Sequence, residues 1–76
     1  MITESQQRTI RRECDVIIAF CQTVLDHCVK LDARCRPEDH VAVGRIADKV
    51  RLSMFETGIL RDINDKRKVS ECQQDK

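Results

Sequence analysis

Residues 10–35 read IRRECDVIIAFCQTVLDHCVKLDARC. Cys14, Cys21, Cys28 and Cys35 recur at every seventh position, and Ile10, Ile17, Val24 and Leu31 do the same between them. Interleaved at spacings of three and four, the two columns make a heptad with Cys at a and an aliphatic residue at d. A strand repeats every two residues and cannot carry this pattern, so the stretch is a helix with one long apolar seam, flanked by Ile18 and Leu25. Arg12, Asp15, Gln22, Asp26, Lys30 and Ala33 fall on the other side, which suits water.

Outward from the seam, Thr3 with Gln6 three residues on is a capping box, so helix 1 is expected over about 4–33. A break follows at 34–37. Pro37 suits the first position of a new helix, where its missing N–H costs nothing, and Glu38 and Asp39 then sit at the positive end of the dipole. Helix 2 is expected over about 38–68, with Lys66, Arg67 and Lys68 at its negative end, and a polar tail over 69–76. Helix 2 carries two stripes. Val43, Ile46, Ala47, Val50 and Met54 share one face, whereas Leu52, Phe55, Ile59 and Ile63 lie roughly opposite. One straight neighbour cannot cover both. Either the helix kinks near Gly58, or one stripe meets helix 1 and the other a second chain, which is the expectation adopted.

A link this short lays the helices side by side and antiparallel. The fold class is therefore all-α: a single domain over residues 1–76, a hairpin of two long helices assembling as a homodimeric four-helix bundle. The residues expected to form the core and the self-association surface are Ile10, Cys14, Ile17, Cys21, Val24, Cys28, Leu31, Cys35, Leu52, Phe55, Ile59 and Ile63. Free Cys acts as a small hydrophobe, and small a layers alternating with larger d layers let helices approach closely. Over about residues 10–65 this layout resembles that of Rop-type plasmid regulators, dimers of helical hairpins that also alternate small and large core layers. The resemblance implies a dimer of hairpins and carries no diagnostic motif.

Composition narrows the functions. The 76 residues hold 14 basic and 13 acidic groups, so no strong field steers the chain toward nucleic acid or lipid. Two Gly and one Pro disfavour an all-β fold. No apolar run reaches the roughly 18 residues that span a bilayer. Five Cys cannot all pair within one chain, and the polar start carries no secretory signal, so reduced thiols in the cytoplasm are expected. Cys72 on the tail is the thiol expected to oxidise most readily.

Each chemical reading has a plainer competitor. Cys28, Cys35, His27 and His40 lie around the turn, and Cys35 and His40 could converge there with two further ligands from a partner chain. Residues seven apart on a helix are about 10 Å apart along its axis, so the Cys column can neither share a metal nor form intrahelical disulfides. Packing thiols are the simpler reading, and no metal, cofactor or catalytic residue is expected. Glu13–Cys14 and His27–Cys28 are sequence neighbours that point about 100° apart, and a helical rod offers no deep pocket, so the chain is expected not to be an enzyme. Arg8, Arg11, Arg12, Arg61, Lys66, Arg67 and Lys68 gather at one end of the hairpin as a possible nucleic-acid patch, set against a salt-bridged surface with Arg61–Asp65 and Asp62–Lys66 as pairs. Without Tyr or Trp, base stacking has little to use. The expected function is a small self-associating protein that binds a larger macromolecule, in most cases a protein, as a regulator or inhibitor of the kind phages and plasmids encode. The alternatives are backbone binding to RNA or DNA, and capture of a small ligand or metal at an oligomer interface.

Overall fold

The computed structural model describes residues 2–69. Helix α1 spans Glu4–Asp32, a 3₁₀ turn spans Pro37–Asp39, and α2 spans His40–Lys66. The helices pack against each other as a hairpin, and the described residues form no strand, only one isolated backbone bridge between Ile2 and Val69. The Cα trace is a rod of 62 × 14 × 10 Å. Apart from Val69, the tail expected over 69–76 lies outside the described residues, and Cys72 with it.

Thr3 stops the chain from fraying at the start of α1. The Gln6 N–H donates to Thr3 Oγ1 at 3.1 Å, and the Thr3 N–H donates to Gln6 Oε1 at 3.0 Å, so two otherwise unpaired donors are satisfied reciprocally. At the turn, Arg36 is extended and supplies no side-chain cap. The first turn after it closes more tightly, with the Asp39 N–H donating to the Arg36 carbonyl at 2.9 Å, so the α-helix proper begins at His40 rather than 38. It ends at Lys66 because Arg67 turns extended.

The seam between the helices differs in phase from the heptad reading. Cys14 and Cys28 are buried, Cys21 and Cys35 half-buried, so the a column does face α2. Of the d column only Ile10 is half-buried; Ile17, Val24 and Leu31 are exposed. Their places are taken by Ile18 and Leu25, both half-buried. A straight helix of 3.6 residues per turn lets a seven-residue column drift by about 20° per heptad. Along α1 that drift carries the d column out of the seam and swings Ile18 and Leu25 in, while Asp32, next in their column, stays exposed at the helix end.

On α2, Val43 and Ala47 are buried and Val50 and Met54 half-buried, while Ile46 sits at the margin, exposed. The seam does not change face at Gly58. α2 is continuous there, and the inward row runs on as Thr57, Gly58, Arg61 and Asn64. The hydrophobic core is therefore small and concentrated near the turn, where Cys28, Val43 and Ala47 pack with Leu25 and Cys35.

The other end of the seam is polar. Asn64 is wholly buried, and its Nδ2 donates to the Gln7 carbonyl at 3.0 Å. Gln7 Nε2 returns a bond to the Asn64 carbonyl at 2.7 Å, which also accepts from the Arg67 N–H at 3.2 Å, and another to the Arg67 carbonyl at 3.1 Å, so one side chain ties down the end of α2. Arg61 and Asp65 do not pair with each other as expected. Arg61 reaches Asp15 and Arg11 reaches Asp65, each at 2.6 Å and each across the seam. Among the described residues Asp62 and Lys66 form no ion pair either.

Candidate functional site

Two helices cannot enclose all the apolar side chains this chain carries, and part of the surplus forms two faces. The first is a shared face. Ile17, Phe20, Cys21 and Val24 from α1 and Lys49, Val50 and Ser53 from α2 line an apolar groove of about 270 Å³ along the middle of the rod. Phe20 stands 67% exposed at its edge. The second face belongs to α2 alone. Leu52, Phe55, Ile59 and Ile63 project away from α1, with Phe55 67% exposed. Of the twelve residues expected in the core or the self-association surface, the hairpin itself buries or half-buries Ile10 and the four seam cysteines. The other seven are presented to the surroundings.

The basic end is less basic than its sequence. Arg8 pairs with Glu4 at 3.3 Å, Arg11 with Asp65 and Arg61 with Asp15. The bond from Asp15 holds the Arg61 guanidinium above its usual pKa range, so it is fixed as a cation bound to its own protein. Three members of the candidate nucleic-acid patch are thus engaged with carboxylates, while Arg12, Lys66, Arg67 and Lys68 lie exposed around them.

At the closed end, three side chains from the turn converge. Cys35 Sγ lies 3.8 Å from His40 Nδ1, and that same nitrogen lies 2.5 Å from Asp32 Oδ1. All three ligand atoms fall within 4.8 Å of one another. Cys35 and His40 were visible as candidates in the sequence; Asp32 was not. The signal for it was present, since Asp32 continues the column Ile18, Leu25 at the same spacing of seven and lies one turn before Cys35. Desolvation first, then the carboxylates of Asp32 and Asp39, push the Cys35 thiol above its ordinary pKa. His27, the other histidine considered near the turn, is exposed and belongs to no such cluster.

Among the described residues no helix is long and apolar enough to cross a membrane. No protein-family model, no curated protein and no solved structure matches the chain.

Proposed function

We propose that this chain is a non-enzymatic binding module: it self-associates through the shared apolar groove and engages a larger macromolecule, a protein, through the outer stripe of α2. One observation carries the reading: each apolar face runs along the rod, and neither is covered by the hairpin itself. A four-helix bundle needs every helix to contribute to one common face, and only the groove face draws on both. Ile17 and Val24, displaced from the seam by helical drift, then become the second core layer, facing the other hairpin of a two-fold dimer. The stripe Leu52–Phe55–Ile59–Ile63 comes from one helix and presents the spacing by which an amphipathic helix fills a groove on another protein. Occupying such a surface is how a small regulator or inhibitor works, and a phage or plasmid accessory role fits that size and style by analogy alone. A reducing compartment, the cytoplasm, suits the unpaired thiols of the seam.

The test is sedimentation velocity across the micromolar range under reducing conditions. The expected result is the mass of two chains, falling toward one on dilution. A well-folded monomer at every concentration removes the reading. Binding of a candidate protein target should change little with added salt, whereas contact through phosphates would weaken steeply.

A further inference from the structure

The cluster at the closed end is arranged around a point rather than along a line. In a thiol activated for attack, one imidazole nitrogen takes the thiol proton while the other is oriented by the carboxylate. Here Cys35 Sγ and Asp32 Oδ1 both approach Nδ1, so no relay runs through the ring. Three donor atoms of different elements facing one another across a small gap are instead the makings of a coordination sphere. We infer that Asp32, Cys35 and His40 form a binding site for a zinc-class divalent transition-metal ion.

The chemistry selects the ion. Sulfur and imidazole nitrogen suit zinc and its neighbours, whereas magnesium and calcium need oxygen donors throughout. Around tetrahedral zinc, with metal–sulfur about 2.3 Å and metal–nitrogen about 2.0–2.1 Å, a sulfur and a nitrogen ligand stand about 3.6 Å apart. The Cys35–His40 separation of 3.8 Å is close to that. The His40–Asp32 contact would open from 2.5 Å to about 3.3 Å, within the reach of a side-chain rotation at an exposed carboxylate. The scaffold is already placed. Cys35 is held by its N–H donating to the Leu31 carbonyl at 2.8 Å, Asp32 closes α1 and His40 opens α2. Asp32 and His40 also line a groove of about 310 Å³. Three protein ligands leave one tetrahedral position for water. Thiolate and carboxylate together balance the charge of the ion. Binding releases the Cys35 proton to solvent, and the bound ion ties the end of α1 to the start of α2.

The test uses the full chain, reduced and freed of metal, titrated with Co²⁺ and then Zn²⁺. One Co²⁺ per chain should bind with the visible bands of tetrahedral cobalt and a sulfur-to-cobalt charge-transfer band, and Zn²⁺ should displace it. Affinity should rise with pH while the thiol remains protonated, one proton being released as the thiolate takes the ion. Cys35→Ser should lose the charge-transfer band. His40→Gln and Asp32→Asn should weaken binding at least tenfold, and both leave the seam cysteines in place should Cys35→Ser fold poorly. Cys14→Ser, Cys28→Ser and Cys72→Ser should keep the spectrum. An octahedral spectrum, no uptake at stoichiometric metal, or a charge-transfer band that survives Cys35→Ser or disappears with Cys72→Ser would each overturn the site. None of these readouts depends on self-association.

Discussion

Cys14 keeps only 2% of its surface exposed in the seam. Cys14→Ser exchanges a soft apolar sulfur for a hydroxyl, which at that depth costs on the order of 1 kcal/mol, softened if the hydroxyl bonds back to its own helix. Cys14→Leu adds volume to a closed layer and should cost more, about 1–3 kcal/mol. Urea unfolding at fixed protein concentration ranks the two, and the opposite order would mean that the seam is slack at this layer. Asn64 is the other fully enclosed side chain. Its Nδ2 is satisfied by the Gln7 carbonyl, but its Oδ1 finds no partner among the described residues. Because Gln7 and Asn64 bond each other reciprocally, Gln7→Ala and Asn64→Ala should be non-additive, with a coupling of about 0.5–1.5 kcal/mol in a double-mutant cycle. Additive losses would show that the two bonds act separately.

At the scale of the element, each helix was readable where the signal was local. The capping box of Thr3 and Gln6 depends on four adjacent residues, and so does the proline-led start after Arg36. What could not be read was the phase of the seam. Leu31 is far more apolar than Asp32, and Ile17 and Val24 are no less so than Ile18 and Leu25, yet a straight helix turns Ile18 and Leu25 inward. The polar end escaped for a related reason. Gln7 with Asn64, Arg61 with Asp15 and Arg11 with Asp65 are pairs between helices, and their identity depends on phase and register together. Two glycines inside α2 give a further check. A Cβ at Gly44 or Gly58 would meet nothing within 4 Å, and neither has a positive φ. Gly44→Ala and Gly58→Ala should therefore each stabilise the hairpin by about 0.5–1 kcal/mol through helix propensity. A loss at Gly58 in the associated state alone would instead mark it as a point where another chain comes close.

For the whole molecule, the decisive quantity is the ratio of what the hairpin covers to what it leaves bare. Its buried apolar residues are Cys14, Cys28, Val43 and Ala47, and the last three of these cluster near the turn. Such a core gives little against the chain entropy of two long helices, so folding and association should be linked. The two exposed faces make separable demands. Ile17→Asp or Val24→Asp places a charge in the shared groove. If that groove closes the bundle, either change raises the dimer dissociation constant at least a hundredfold, about 2.7 kcal/mol, and lowers helicity at micromolar concentration. Ile59→Asp or Phe55→Asp alters the outer stripe of α2, where the side chain already stands in water. These variants should keep the dimer and its thermal midpoint while losing affinity for the target. Sedimentation and circular dichroism on the four variants read both effects. If the α2 variants dissociate the assembly and the groove variants do not, the outer stripe is the self-association surface and the roles of the two faces are exchanged.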